Sequence, residues 1–404
     1  MKQHVLRTQL FVLAMALCLG AYTQEEPAKK DTLKGYHFTH IKEYKATPVK
    51  NQYRSSTCWS FSSLSFLESE MMRVGKPEYD LSEMFVIWNA YKEKAEKSVR
   101  FHGTINFAPG GAFHDVLHVI KTYGIVPEEV YSGKVIGEDN HIHNELDAVT
   151  KGYVDAVRSN ANGKISPVWM KGFEGILNAY LGDYPAKFTY QGKEYTPKSY
   201  AQELGINTDD YVEIGSYSHH PFYEQFILEV PDNWMQDKIY NLPLEEMMKV
   251  IDYSLENGYT VAWGADISEK GFSWKEGVAI VPEEKLTDLT GTEKEKWEKL
   301  TEKERKKALY SFEEIVPEKK ITQELRQKEF DNYSTQDDHG MHITGTAKDQ
   351  NGNLYYIVKN SWGNDDHKYK GYFYASVPYV ALKTIDIMVH KDAVPKDIRK
   401  KLGF

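Results

Sequence analysis

Gln52-Tyr53-Arg54-Ser55-Ser56-Thr57-Cys58-Trp59-Ser60-Phe61 is the stretch from which the fold reads outward. In the residues that follow, Ser62 to Arg73, apolar side chains recur at helical intervals, which predicts a helix opening at or near Cys58. At a helix N-terminus the unpaired N–H groups and the macrodipole favour an anion, so a thiolate forms more readily there. Gln52, six residues upstream, carries a side-chain N–H suited to a developing oxyanion. A buried structural cysteine is the alternative these ten residues leave open.

Counting cysteines bears on that choice. The chain has 2, Cys18 and Cys58. Residues 1–23 read as an export signal, in which Lys2 and Arg7 precede an apolar run from Leu10 to Ala21 that is too short to span a bilayer. A retained anchor is the alternative. Removal of the signal leaves Cys58 alone in a periplasmic or extracellular protein, where an unpaired thiol is a liability unless it has chemistry to do. With 404 residues, 41% apolar and 27% charged, the chain has an ordinary globular composition, enough for one large domain or two. The net charge of −9 excludes the basic footprint of a nucleic-acid binder. No later stretch is long and apolar enough to form a transmembrane segment.

Residues 24–35 read as a flexible lead-in. The Cys58 helix is expected to stop near Gly75-Lys76-Pro77, and a second to open at Leu81-Ser82-Glu83 with Ser82 as its cap. Pro109-Gly110-Gly111 reads as a turn before a third helix, Ala112 to Tyr123. From about 130 to 320 the chain offers mostly helices and loops. Asn144 to Arg158 and Pro243 to Asn257 read as helices, as does the charged run Thr292 to Ala308; Tyr259 to Ala265 reads as a buried strand. The histidine pairs His114/His118, His141/His143 and His219/His220 lack a third ligand nearby, so no metal site is expected.

The last hundred residues supply two strands, Asp338 to Ala347 and Leu354 to Lys359, joined through Asn351-Gly352. A two-residue turn there would put Asn360 opposite Ile343, on the same face as His339 but four positions out of line. Only a bulge or a longer turn closes that gap. His342 points to the other face and is the rival candidate for a base.

Taken together, these motifs resemble the papain-like cysteine peptidases, in the bleomycin hydrolase and aminopeptidase C branch. They run in family order: Gln52, Cys58-Trp59-Ser60-Phe61, Leu81-Ser82-Glu83, Gly110-Gly111, His339, and Asn360-Ser361-Trp362-Gly363. The branch rests on Leu81 to Phe85 leading into Trp88, Tyr123 to Pro127, Gly258 to Gly264, and the long interval from Cys58 to His339. The resemblance implies an α+β fold spanning 36–404, with a helical left lobe, a β-rich right lobe, and the mostly helical segment 130–320 inserted between them. It implies Cys58 as nucleophile, His339 as general base and acid, and Asn360 orienting the imidazole. Gln52 would bind the oxyanion, with Trp59, Trp362, Gly110 and Gly111 in support. No cofactor is implied; peptides are the substrates, and a homo-oligomer, a hexamer in the family, is expected. Three features depart from the pattern: Ser56-Thr57 before the nucleophile, the export signal, and a short tail after Val394-Pro395 where the family's arm enters the cleft. An aminopeptidase is therefore expected with a papain-like endopeptidase or oligopeptide-cleaving enzyme as the alternative, and a non-catalytic peptide-binding protein as the remote one.

Overall fold

The computed structural model describes residues 34–284 and 299–404, in which Gly35–Phe404 forms one compact unit. The expected export signal, most of the lead-in, and residues 285–298 lie outside the described residues.

Helices α1 (Cys58–Arg73), α2 (Glu83–Arg100), α3 (Phe113–Tyr123), α4 (Asn144–Arg158), α5 (Trp169–Leu181) and α6 (Pro197–Leu204) build the helical lobe around a core that includes Phe66, Phe85, Trp88 and Phe173. Ser82 caps α2 as its spacing predicts, its hydroxyl accepting from Phe85 N at 3.0 Å.

The other lobe is a sheet of strands β1 (Thr39–Glu43), β4 (Tyr211–Gly215), β5 (Gln225–Ile227), β6 (Lys238–Asn241), β7 (Val261–Ala265), β8 (Phe272–Ser273), β9 (Val278–Ala279), β10 (His339–Lys348), β11 (Leu354–Lys359), β12 (Tyr372–Ser376) and β13 (Thr384–His390). Their order is β5-β6-β4-β13-β7-β10-β11-β12-β9-β8, with β1 also paired to β10. A small hairpin, β2 (Phe188–Tyr190) with β3 (Lys193–Tyr195), stands apart from it. Trp263, Met341, Ile343, Tyr356, Val358 and Ile387 fill the sheet-side core, which α7 (Leu244–Glu256) covers.

Segment 130–320 divides between the lobes. Helices α4 to α6 extend the helical side, whereas β4 to β9 and α7 belong to the sheet side. Pro243, expected inside the first turn, stands one residue ahead of α7 as its N-cap. Of the run Thr292 to Ala308 expected to be helical, residues 292–298 lie outside the described residues; the rest holds a helix over Glu302–Leu309, opened by a reciprocal capping box of Thr301 and Glu304.

Helix α1 lies between the lobes and is buried on nearly every face. Its serines allow that. They are small, and their hydroxyls return to nearby carbonyls, Ser62 to Cys58 O at 2.9 Å and Ser63 to Trp59 O at 2.7 Å, so no polar group is left stranded.

The β10–β11 hairpin halves the predicted gap in two steps. The connection takes five residues, pairing Lys348 with Leu354, and the register shifts again between Ile343 and Gly345. Each step moves the pairing by one, so the strands end with His342 opposite Lys359. Continued by one residue, that register sets Asn360 against Met341, making His339 its diagonal neighbour on the same face, within side-chain reach.

Candidate active site

Two close approaches assemble the site. Gly340 lies on the β10 face that meets α1, where an added Cβ would stand 2.7 Å from Ser62 Oγ and 3.3 Å from Trp59 Cα. Only a residue without a side chain lets the strand bearing His339 come this near the N-terminus of α1. The second approach joins the loop before α1 to the end of the β11 hairpin: Asn51 bridges Trp362, Gln52 N donates to Ser361 O at 2.8 Å, and Gly363 N donates to Lys50 O at 3.1 Å. Lys50 is in turn held by Glu83 at 2.8 Å, which gives the Leu81-Ser82-Glu83 motif an anchoring task beneath the Gln52 loop.

These approaches put Gln52, Cys58, Trp59, Gly110, Gly111, His339 and Trp362 on the wall of one cavity of about 500 Å³. Asn360 stands behind it. Its Oδ1 accepts from His339 Nε2 at 2.7 Å and from Ser361 N at 2.8 Å. The backbone donor fixes which way the amide points, so the imidazole proton sits on Nε2 and Nδ1 is left as the free acceptor. The Trp362 ring lies over the imidazole at 4.8 Å between centroids, tilted by 33°. Gln52 Oε1 accepts from Ser361 Oγ at 2.6 Å, which leaves its Nε2 as a donor on the cavity wall.

Cys58 is the first residue of α1, and Thr57 ahead of it gives the helix no side-chain cap. Burial pushes the Cys58 thiol up to about 12; the Gly340 N–H opposes this, Asp337 and Asp232 add to it, and the Trp59 N–H opposes it again. Burial likewise pulls His339 down to about 4, against the pull of its bond to Asn360. Each group alone is therefore held toward its neutral form. A charge on either group needs an opposite charge beside it to offset its desolvation.

His342 is elsewhere. It lies on the α1 face of β10, with Nδ1 2.9 Å from Ser65 Oγ, and takes no part in the cavity wall. Burial and the neighbouring Lys359 hold it well below the usual imidazole range. The Gly110-Gly111 turn is held by Trp59 Nε1 donating to Pro109 O at 3.0 Å and by the Lys94 ammonium donating to Ala108 O at 2.7 Å and to Gly110 O. His114 and His118 do not converge: His114 pairs with Glu213 at 2.9 Å and His118 with Glu93 at 2.8 Å. His219, His220 and Glu229 do cluster. There Gln327 Nε2 donates to His219 Nδ1, which leaves the His219 proton on Nε2 facing Glu229, the tautomer opposite to the one a metal needs.

Sequence reading missed the acidic character of the wall, to which Glu213, Asp232, Asp337, Asp338 and Asp386 all contribute. Asp337-Asp338 directly before His339 was the one available signal. Ser361, which holds Gln52, was passed over as part of a motif.

A helical lobe with a cysteine at a helix N-terminus, facing a β lobe with a hydrogen-bonded His–Asn pair, is the architecture of a papain-like peptidase. Comparison with known proteins agrees. The profile of the Peptidase C1-like family matches residues 14–309 and 304–403. Aminopeptidase C of Lactococcus lactis subsp. cremoris is 21% identical over 90% of this chain and 86% of its own length. Bleomycin hydrolase of Rattus norvegicus is 22% identical over 92% and 86%. The crystal structure of PepW from Lactobacillus rhamnosis HN001 superposes with a TM-score of 0.64 at 20% identity, covering 90% of this chain and 84% of that one. The chain belongs to the Peptidase C1-like family, in the aminopeptidase C and bleomycin hydrolase branch of the papain-like cysteine peptidases. Among the described residues no helix is long and apolar enough to cross a membrane.

Proposed function

We propose that this chain cleaves peptide bonds through a Cys58 acyl-enzyme and releases residues from the N-termini of peptides. The observation that carries the reading is the 2.7 Å bond from His339 Nε2 to Asn360 Oδ1, on a cavity wall shared with Cys58 and Gln52. With Nε2–H committed to Asn360, Nδ1 takes the thiol proton as sulfur attacks the scissile carbonyl. The new oxyanion receives the Gln52 side-chain N–H and the backbone N–H at the start of α1. His339 Nδ1–H then protonates the leaving amine and the C–N bond breaks. Water attacks the thioester, its proton passes to Nδ1, and the C–S bond breaks to restore the thiol.

Cleavage at N-termini is supported by the names of the aminopeptidase C relatives and by a cavity wall rich in carboxylates, which suits a free ammonium. Residues 396–404 are not part of that wall: Ile398 and Leu402 are buried in the sheet-side core, and the Phe404 ring packs on Tyr240 at 5.2 Å. Residues 1–23 act in this reading as an export signal, tested by sequencing the N-terminus of the protein recovered from the producing cell's exterior or periplasm. The decisive assay uses one peptide with a free and with an acetylated N-terminus, on the wild-type chain and on Cys58→Ala. Turnover of the free form alone, lost in the variant, is expected. Equal cleavage of both forms rejects the aminopeptidase, and activity retained in the variant rejects the nucleophile.

A further inference from the structure

Among the described residues the cavity wall carries five carboxyl groups, those of Glu213, Asp232, Asp337, Asp338 and Asp386, against the imidazoles of His114 and His339 and no lysine or arginine. Two of the five are occupied. Asp338 accepts from Ile267 N at 3.0 Å and Ser268 N at 3.1 Å, and Glu213 Oε2 is paired with His114 Nδ1 at 2.9 Å. The other three have no such partner. Asp232 has Lys94 as its nearby cation, but that ammonium spends its donors on the carbonyls of Ala108 and Gly110. Asp337 has only other acids around it, Asp232 and Asp338, and with burial they push its carboxyl up to about 8. Asp386, 8% exposed, meets the carboxyl of Glu213 across the sheet and has Asp337 nearby, with the His114 imidazole as the cation that offsets them in part.

The backbone is cut to fit these acids. A Cβ at Gly110 would lie 1.8 Å from Asp232 Oδ2, and one at Gly264 would lie 2.4 Å from Asp386 Oδ1. Neither glycine has a positive φ, so what the positions require is room for a carboxylate and not a special backbone. A cavity that makes room for so many acids beside so few cations favours a ligand that brings positive charge with it. Among the described residues only the His219, His220 and Glu229 group brings three ligand atoms close enough to share a metal ion.

We propose that Asp232, Asp337 and Asp386 form a subsite beside Cys58 that takes an organic cation of the peptide substrate, an ammonium or guanidinium group. The cation is supplied either by the free α-amine or by a Lys or Arg side chain next to the scissile bond. The proposal rests on the reading of Cys58 and His339 as the reactive pair and adds the groups that select what they act on.

The test uses four matched peptides: lysine or norleucine at the residue before the cleaved bond, each with a free or an acetylated N-terminus. At least one cationic form is expected to exceed the doubly neutral peptide by about 10- to 100-fold in kcat/KM, the range of a hydrogen-bonded charge. That ratio falls toward one in Asp337→Asn and in Asp386→Asn. Loss of the preference on acetylation identifies the α-amine as the cation, and loss with norleucine identifies the side chain. Equal cleavage of all four peptides, or an undiminished ratio in folded Asn variants, overturns the subsite. Calorimetry on the Cys58→Ala chain separates this proposal from the peptidase reading and needs no Asp variant to fold. There, lysyl-alanine amide binds more tightly than acetyl-norleucyl-alanine amide, whereas equal or absent binding of both overturns the subsite. Binding preference without wild-type turnover sinks the peptidase reading alone, and turnover without charge preference sinks the subsite alone.

Discussion

Replacing Asn360 with Ala tests the core of the site. The side-chain oxygen serves two donors, His339 Nε2 at 2.7 Å and Ser361 N at 2.8 Å, both buried where water does not readily replace it. In the reaction His339 becomes an imidazolium, and a hydrogen bond to a charged group contributes roughly 1.5–3 kcal/mol. Its loss from the transition state lowers kcat by about 10- to 150-fold at 1.4 kcal/mol per decade. Trp362 still covers one face of the ring, so the base is misaligned and not removed, and His339→Ala is the more damaging change. KM stays within about threefold, because Asn360 is behind the cavity wall and touches no substrate. Two stranded N–H groups also lower stability by about 2 kcal/mol, which a urea titration reads beside the kinetics. Steady-state kinetics on a fluorogenic peptide decide the matter. A fall in kcat below about threefold, or a loss carried by KM, refutes the orienting role; if His342→Ala proves worse than His339→Ala, the base is misassigned.

Ser361→Ala frees the Gln52 amide to rotate, and we expect kcat to drop about 3- to 10-fold, for one neutral hydrogen bond. Gln52→Ala, which deletes the donor itself, is expected to reduce kcat by about 10²- to 10³-fold; comparable losses from the two changes would contradict this division of labour. Gly340→Ala wedges β10 away from α1 and lowers stability by about 1–3 kcal/mol, with partial recovery on adding Ser62→Ala, read from urea midpoints of the two single variants and the double. Acid also destabilises the fold through His141 and His143, which burial holds down to about 3 and about 4, with the two rings lying 5.8 Å apart. Their folded values lie below the unfolded value near 6.5, so the unfolded chain takes up more protons in that window. Stability is complete above about pH 6.5 and falls as pH drops toward 4, by roughly 2 kcal/mol per histidine at pH 5. A urea midpoint that is the same at pH 5 and pH 7.5, or a pH slope that survives His141→Gln with His143→Gln, would count against it.

Local signals carried much of this structure into the sequence. The Ser82 cap, the apolar spacing after Cys58 and the turn residues near Asn351 each act within a few positions, so they are legible in one chain. The need for a bulge or longer turn was legible too, since strand alternation counts residues; where the two shifts fall was not, because that depends on how β10 packs against both β7 and β11. The reciprocal Thr301–Glu304 bonds are another such local signal, opening the helix at Glu302. Least legible was the acidic wall. Asp232 comes from a loop, Asp337 from the approach to β10 and Asp386 from β13, and no spacing rule links positions that only the folded sheet brings to one cavity.

The stitching of residues 50–52 to 361–363 is made by backbone groups, so it does not depend on the side chains at those positions. It sets the loop that bears Gln52 and the turn that bears Trp362 in one hydrogen-bonded unit, which joins the donor for an oxyanion to the ring that covers the imidazole. The opposite side of the cavity is tied across the lobes as well, by the His114–Glu213 pair and by Trp234 donating to Asp115, so substrates of different bulk meet a cleft braced at both ends.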